Sequence, residues 1–368
     1  MVVAPDEPIR PPEARQHHPT SSAPLGLVVG SYCHDVLFRD GTVIGESLGG
    51  AASFISNVFD ALGRPVQLRC RYISKVGPDF AYSGSSLPTP FSSSSPTTLF
   101  HAHFSSGDIA AGYHSDRALK RVRACDPISP SDLPAEEQPF DFGLAVGVAG
   151  EISPATLARM IEICRVVFVD VQALIRTFDP TDGTVRLVHL RDSGFSHLLP
   201  RIGFLKASAD EAPFVDVEEV RKLCCVVVTD GKDGCRVYWK SGVLRVPSFP
   251  AVQVDPTGAG DSFLGGFVAG MVHGLAVPDA ALLGNFFGSL TVRHIGIPNF
   301  HQELFQNAVC WILGPSLASV TFGFMRSTGT LHVMEIHGRS LYSTSRTIRS
   351  ESEDSRWGFR AQMDGSSK

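Results

Sequence analysis

The chain has 368 residues, of which 43% are hydrophobic and 19% are charged, as is ordinary for a globular enzyme with a large buried core. Its formal net charge of -5 provides no long-range attraction to nucleic acid or to anionic membranes, so we expect neither as a partner. The eight cysteines form no CxxC pair and mostly lie in apolar segments, which favours reduced thiols and a cytoplasmic protein. Composition leaves the oligomeric state open.

The two ends of the chain differ in composition from the part between them. Residues 1–23 contain five prolines and scattered charges without the apolar segment of a signal peptide, so we predict a disordered leader. Residues 315–368 are rich in Ser, Thr, Arg and Gly and lack a sustained hydrophobic period, which predicts a peripheral tail. Residues 24–314 are then the folded domain. Its most apolar stretch, 263–276, contains four glycines and a histidine and is too short to span a bilayer.

Strand-like and helix-like segments alternate along the predicted domain. In chain order, we predict a strand at 25–30, a helix at 51–62, a strand at 142–148, a helix at 154–164, a strand at 166–170, a strand at 202–206, a helix at 217–223, a strand at 226–229 and a hairpin through 235–238 and 243–246. Repeated βα units predict an α/β protein in which helices cover both faces of a mostly parallel sheet.

One region interrupts this alternation and predicts a small β lid at approximately 97–122. In the string LFHAHF of residues 99–104, successive side chains fall on opposite faces of a strand, and a second extended stretch is predicted at 109–114. Residues 83–95 are mostly Ser, Pro and Gly, which predicts a flexible loop leading into the lid.

Two histidines of the lid string, His101 and His103, lie on the same face of the predicted strand. Imidazoles at this spacing could be metal ligands, but the sequence shows no evident third ligand. We therefore favour lid packing or substrate contact for both side chains.

The string VDPTGAGDSF of residues 254–263 carries the clearest chemical signal. The small residues Gly258, Ala259 and Gly260 allow backbone N–H groups to converge on an anion, and the positive end of the following helix dipole favours a phosphate there. Asp261 lies in the first turn of that helix, where its carboxylate can accept the proton of an attacking alcohol. A tight turn with Asp261 as a helix cap is the alternative, and the length of the string favours catalysis.

This string resembles the second signature of the pfkB, or ribokinase-like, carbohydrate kinases, and further motifs follow in that family's order over roughly residues 25–300. The resemblance implies an α/β ribokinase-like three-layer fold with a mostly parallel central sheet and a small β lid. It also implies an ATP-dependent kinase that uses Mg²⁺ and in which Asp261 is the catalytic base.

On the substrate side, the resemblance points to residues near the N-terminus. Asp35 follows the first predicted strand, where family members carry a substrate-binding Asp. Gly49, Gly50 and Asn57 match the family's Gly-Gly pair and helix Asn, which contact the substrate in relatives. Without the family, Asp35 could be a turn residue, Gly49 and Gly50 a helix entry, and Asn57 a polar position on an apolar helix.

On the nucleotide side, the string KASADE of residues 206–211 resembles the family's N-x-x-E motif, with Ser208 in place of Asn and Glu211 retained. The resemblance gives Glu211 a role in holding Mg²⁺ through water and places Ser208 near the nucleotide. A solvated acidic loop is the alternative. Thr229 and Gly231 match the turn along the nucleotide, and Asn285 matches a position lining the adenine pocket.

A cation and the substrate complete the expectations. Asp255 and Thr257 occupy places where some relatives hold a monovalent cation. The strings at 100–104, 169–176 and 204–208 resemble the plant myo-inositol kinases of this family, which implies myo-inositol as substrate and a role in inositol phosphate and phytate synthesis. A kinase for ribose, fructose or a nucleoside would share the same catalytic residues. A non-catalytic, nucleotide-responsive scaffold is the alternative from another class, against which the intact Asp261 argues.

Overall fold

The computed structural model describes residues 23–66, 68–82, 91–92, 94–104, 118–135 and 139–300. Nearly all of the predicted leader, most of the loop at 83–95, the predicted extended stretch at 109–114 and the whole tail at 315–368 lie outside the described residues. The boundaries 24 and 314 of the kinase domain therefore stay predictions.

The described elements alternate largely as the sequence predicts. In chain order they are β1 (Leu25–Gly30), β2 (Cys33–Arg39), β3 (Thr42–Gly49), α1 (Ala51–Val66), β4 (Arg69–Ile73), β5 (Lys75–Val76), β6 (Phe91–Ser92), β7 (Leu99–Phe104), β8 (Ala118–Arg123), β9 (Phe142–Val146), α2 (Pro154–Ile163), β10 (Val167–Asp170), α3 (Gln172–Ile175), β11 (Arg176–Phe178), β12 (Val185–Leu187), β13 (Phe204–Ser208), α4 (Val217–Val220), β14 (Cys225–Thr229), β15 (Cys235–Trp239), β16 (Gly242–Val246), α5 (Ala259–Val272) and α6 (Val277–Thr291).

The central sheet has eight strands in the order β16-β15-β14-β13-β10-β9-β1-β4. The six strands from β14 to β4 pair in parallel, whereas β15 and β16 form an antiparallel hairpin at one edge. Parallel neighbours need long crossovers, and helices such as α2 supply them. The predicted mostly parallel α/β fold is confirmed.

Each face of the sheet covers its own hydrophobic core, because alternate side chains of a strand point to opposite faces. On one face, α1, α5 and α6 pack over side chains such as Leu144 and Phe168. On the other face, α2 and α4 pack over side chains such as Ala145 and Val169. The result is a three-layer arrangement in which the sheet lies between two layers of helices.

The lid is a four-stranded sheet in the order β3-β2-β7-β8, and it is larger than predicted. The prediction of a lid at 97–122 omitted β2 and β3, which form a hairpin immediately after β1. Two residues connect that hairpin, Asp40 and Gly41, and both have positive φ (48° and 80°). A two-residue Asp-Gly turn of this conformation matches the twist of paired strands, so the hairpin had a signal in the sequence.

The apolar stretch at 263–276 belongs to a buried helix pair. Ten residues of α5 are buried, and α5 packs against both α1 and α6. A Cβ atom on Gly266 would lie 2.9 Å from the carbonyl oxygen of Leu283, so glycine allows the backbones of α5 and α6 to approach closely. Among the described residues, every helix is too short or too polar to cross a bilayer.

Candidate active site

The candidate site lies at the carboxyl edge of the parallel strands, where ligand sites of open α/β sheets form. β10 ends at Asp170, and β13, its direct neighbour in the sheet, ends at Ser208. The first turn of α5 brings Asp261 to the same edge, within hydrogen-bond distance of Gln172, which lies two residues after the end of β10. Residues far apart in sequence therefore meet in one place.

The turn before α5 requires glycine for two reasons. Gly258 caps the helix in the left-handed region with φ of 75° and ψ of −2°. A Cβ atom at this position would overlap the ring of Phe54 on α1. The turn therefore packs closely against the core. The helix begins at Ala259, and Asp261 is half-buried in its first turn.

A buried ion pair lies beside this turn. The ammonium nitrogen of Lys206 is 2.9 Å from Oδ2 of Asp170, and both side chains are buried. A Cβ atom on Gly260 would lie 2.8 Å from the same nitrogen, so Lys206 places a positive charge against the predicted anion-binding turn. Together with the N-terminus of α5, the ammonium makes this position favourable for an anion.

Burial and charge act in opposite directions on the pKa values of this pair. Burial raises the pKa of Asp170 to about 6, although the ammonium of Lys206 opposes that rise. Burial alone would lower the pKa of Lys206, but the carboxylates of Asp170, Glu211 and Asp261 raise it. Lys206 is therefore cationic at neutral pH, and the three carboxylates surround it.

Ser208 and Glu211 close the turn that follows β13 through reciprocal hydrogen bonds. The backbone N–H of Ser208 donates to Oε2 of Glu211 at 2.8 Å, and that of Glu211 donates to Oγ of Ser208 at 3.2 Å. Glu211 is buried, which would raise its pKa, but Lys206 and Arg176 lower it below the usual value. Glu211 is therefore an ionised carboxylate at the edge of the site.

The predicted substrate residues gather around the start of α1. A Cβ atom on Gly49 would overlap the carboxylate of Asp35, so the absence of a side chain at Gly49 makes room for that group. A Cβ atom on Gly50 would overlap the backbone oxygen of Ser31. On α1, the side-chain amide of Asn57 donates to the carbonyl oxygen of Pro298 at 2.9 Å. The structure brings Asp35, Gly49 and Gly50 together, and their contact with substrate stays a prediction.

The other predicted nucleotide residues occupy two places. Thr229 ends β14. Gly231, two residues later, has φ of 56°, and a Cβ atom there would meet nothing within 4 Å. Asn285 is buried on α6 and donates its amide to the carbonyl oxygens of Val246 and Pro247 at 3.1 and 2.9 Å. These bonds make Asn285 a brace for the segment after β16, and its predicted place in an adenine pocket stays a prediction.

Asp255 and Thr257 contact each other directly. Oδ1 of Asp255 accepts hydrogen bonds from the backbone N–H and the hydroxyl of Thr257, at 2.9 and 2.6 Å. The second carboxylate oxygen, Oδ2, is buried and has no hydrogen-bond partner among the described residues. A buried carboxylate oxygen without a partner is costly, and a cation beside it would remove that cost.

The two lid histidines pack against the ring of Phe38. The ring of Phe38 lies 4.9 Å from that of His101 and 4.6 Å from that of His103, measured between centroids. Within the part of the chain that the structure describes, His, Cys, Asp and Glu form no group of three that could hold a metal ion. The ring contacts fit lid packing, which is one of the two roles that the sequence favours for both side chains; substrate contact stays a prediction.

Three residues of the site had no role in the sequence-based prediction: Asp170, Gln172 and Lys206. Asp170 and Lys206 end or nearly end buried strands, and a charged residue in such a position is a signal that the sequence contains. The bond between Gln172 and Asp261 joins residues 89 positions apart, and no local pattern predicts it.

The arrangement combines a carboxylate that can accept a proton, a helix N-terminus and ammonium that favour an anion, and an ionised Glu211. Positioning and electrostatic stabilisation of this kind are what phosphoryl transfer requires.

Comparisons with known proteins agree with this chemistry. A family model for pfkB family carbohydrate kinases matches residues 167–302. An inositol 3-kinase of Arabidopsis thaliana is 57% identical over 298 residues, which cover 80% of this chain and 82% of that protein. An inositol 3-kinase of Oryza sativa subsp. japonica is 55% identical over 316 residues, with 82% of this chain and 78% of that protein covered.

Solved structures of the ribokinase family share the fold. One is a pyrophosphate-dependent kinase complexed with a pyrophosphate analog and myo-inositol, with a TM-score of 0.62 and 17% identity over 77% of this chain and 99% of that chain. Ribokinase from Thermotoga maritima has a TM-score of 0.56 and 17% identity over 77% and 98% of the two chains. At these identities, the likeness concerns the fold alone. The identity to the plant proteins over about 80% of the chain shows that this chain belongs to the pfkB family of carbohydrate kinases.

Proposed function

We propose that this protein transfers the γ-phosphoryl group of ATP to a hydroxyl of myo-inositol and releases inositol monophosphate and ADP. The observation that carries the proposal is the 57% identity, over 80% of the chain, to a protein named inositol 3-kinase. The same name assigns the hydroxyl at position 3. A role of the product in phytate synthesis stays a prediction of the resemblance, as does the cytoplasmic location.

The chemistry of the site supports this reaction. Asp261 accepts the proton of the attacking hydroxyl while the oxygen of that hydroxyl forms a bond to the γ-phosphorus. The bond from that phosphorus to the β–γ bridging oxygen breaks, and its electron pair leaves with ADP. The N–H groups of the turn from Gly258 to Gly260 and the ammonium of Lys206 stabilise the negative charge that the transferring group carries.

The residues at the edge of the site fit a divalent cation. Glu211 is ionised because Lys206 and Arg176 lower its pKa, and carboxylate oxygen is a ligand that Mg²⁺ prefers, directly or through water. We assign Glu211 to this role. Bound Mg²⁺ would neutralise charge on the phosphates of ATP.

The residues just before α5 fit a monovalent cation in the same sense. Oδ2 of Asp255 is a buried carboxylate oxygen without a partner among the described residues, and Thr257 holds the other oxygen. We assign the monovalent cation to this oxygen.

The side chains of the predicted substrate residues favour a neutral polyol. Asp35 and Asn57 offer a carboxylate and an amide, which bond to hydroxyl groups as acceptors and donors. A sugar phosphate would instead require cationic partners for its phosphate. An uncharged polyol is therefore the substrate class that these predicted contacts favour.

The experiment is a matrix of two donors and four acceptors with the purified full chain. ATP or pyrophosphate is supplied with myo-inositol, ribose, fructose or adenosine, and the phosphorylated product is identified by ³¹P NMR with reactions lacking acceptor as blanks. We expect ATP and myo-inositol to give the highest kcat/KM. Faster transfer to ribose, fructose or adenosine would assign the protein to another branch of the family, and absence of transfer to all four would favour the scaffold.

A further inference from the structure

Gln172 is a buried side chain that contacts the proposed catalytic base. It is the first residue of α3, two residues after Asp170 at the carboxyl end of β10, and it is 7% exposed. Its side-chain nitrogen Nε2 donates to Oδ1 of Asp261 at 3.1 Å. The three residues that follow it in α3 are apolar, so Gln172 is the one polar side chain of this short helix.

The position of Gln172 is itself fixed by charged residues of the site. Its backbone N–H donates to Oδ1 of Asp170 at 3.3 Å. The other oxygen of Asp170 forms the buried ion pair with Lys206 at 2.9 Å. One carboxylate therefore anchors both the start of α3 and the ammonium beside the anion-binding turn.

We propose that Gln172 is a positioning residue that holds the carboxylate of Asp261 in the orientation from which it takes the substrate proton. The inference rests on the proposed function, in which Asp261 is the base. A carboxylate rotates about its Cβ–Cγ bond, and a donor fixed to one oxygen selects one rotation. Placement of reacting groups to within fractions of an ångström strongly affects the rate, so a fixed orientation raises kcat.

The amide suits this task because it does not titrate and carries no charge. A cation at this place would pair with Asp261 and weaken it as a base, whereas an amide donates one hydrogen bond and leaves the carboxylate ionised. Titratable groups that interact with Asp261 include Lys206, Asp170 and the thiol of Cys33, and Glu211 lies by the same ammonium. Gln172 is the neutral donor in this charged setting.

The first variant, Gln172→Leu, removes the donor and keeps the approximate volume. Because hydrogen bonds to charged groups are among the stronger ones, we expect kcat to fall by about ten- to a hundred-fold. The KM values for ATP and myo-inositol should stay near those of the wild type, since Gln172 is placed to act on the base and not on either substrate. The acid limb of the kcat profile should move to higher pH, because an N–H donor favours the ionised carboxylate.

The second variant, Gln172→Glu, keeps the shape of the side chain and makes the donor titratable. A protonated Glu donates to Asp261 as the amide does, whereas an ionised Glu repels it, so the pair should act only with one proton between the two groups. We expect a bell-shaped pH profile for kcat where the wild type shows a plateau. A residue with a merely structural role would not change the shape of the profile.

Thr156→Val is the matched control, because its hydroxyl also makes a buried hydrogen bond, to the carbonyl oxygen of Ile128, outside the site. It should lower thermal stability without altering the pH profile. A Gln172→Glu variant with wild-type kcat and an unchanged plateau would overturn the inference. Failure of the proposed base and failure of the positioning role give different results. An active Asp261→Asn variant would overturn the proposed base. An inactive Asp261→Asn variant, together with Gln172 variants whose kcat and pH profile match those of the wild type, would overturn the positioning role alone.

Discussion

The ammonium of Lys206 lies among the carboxylates of Asp170, Glu211 and Asp261, all of which raise its pKa. Arg176 adds a second positive charge, 3.8 Å from Glu211. Three negative and two positive charges leave one excess negative charge at neutral pH. The ammonium of Lys206 and the N-terminus of α5 favour one phosphate at the turn, whereas the excess carboxylate charge suits a divalent cation that would neutralise the remaining phosphate charge of ATP. The charges of the chain thus support the proposed use of Mg²⁺.

At the same scale, Asp255 predicts a response to monovalent cations. The buried oxygen Oδ2 lacks a partner among the described residues, and a cation that pairs with it would order the turn leading to Asp261. We expect kcat to be several-fold higher in K⁺ than in tetramethylammonium at equal ionic strength. Asp255→Asn should abolish this difference.

The control for that measurement is Asp192→Asn, which removes an exposed carboxylate in the short helical turn after β12. This variant should keep the full response to K⁺. Equal rates in K⁺ and tetramethylammonium for the unaltered chain would contradict the assignment of a cation to Asp255.

At the scale of elements, hydrophobic periodicity predicts most strands of the central sheet and the helices that cover it, but it misses the edge strand β4. The predicted strand at 25–30 coincides with β1, and the predicted helix at 154–164 differs from α2 by one residue. The predicted lid is smaller than the observed one because no strand is predicted at 33–49, where Asp35 is considered only as a substrate-binding or turn residue. Pairing of β2 with β7, which lies more than 60 residues later, is a long-range property that a local pattern does not contain.

The site was predictable to the extent that its motifs are local. The turn from Gly258 to Asp261 and the pair of Ser208 and Glu211 are contiguous strings, and the structure places both strings at the strand edge. The contacts of Gln172 and Lys206 arise only when β10, β13 and α5 meet. Tertiary packing creates these contacts, so sequence periodicity could not reveal them.

Two glycines at opposite ends of α5 provide a test of the turn. Gly258 and Gly274 have nearly equal φ, 75° and 76°, but a Cβ would overlap Phe54 at the first and meet nothing within 4 Å at the second. We expect Gly274→Ala to cost about 1 kcal/mol of stability and to leave kcat unchanged. Gly258→Ala should cost about 1–3 kcal/mol more and lower kcat, because the overlap displaces the turn.

Thermal unfolding and kcat are measured on both variants to test whether the turn at Gly258 tolerates a side chain. Equal losses of stability with equal activities would mean that the turn tolerates a side chain and that its fit against Phe54 is unimportant for catalysis.

At the scale of the whole molecule, the lid is attached to the body by several contacts. The guanidinium of Arg121 on β8 lies 3.5 Å from the ring centroid of Phe178 on β11. Lys120 on the same strand forms an ion pair with Asp182 at 2.8 Å, in the loop between β11 and β12. The lid therefore rests on the β11–β12 hairpin, which directly follows α3 and Gln172. These contacts fix the position of the lid strand β2, which carries the predicted substrate residue Asp35, relative to the predicted catalytic residues at the strand edge.

The most direct test of the proposed reaction is the turnover of Asp261→Asn with ATP and myo-inositol. The amide has the shape of the carboxylate but cannot accept the proton, so kcat should fall by about a hundred- to ten-thousand-fold while ATP binding, measured by calorimetry, stays close to that of the unaltered protein. A variant that binds ATP and phosphorylates myo-inositol at the rate of the unaltered chain would contradict the assignment of Asp261 as the base.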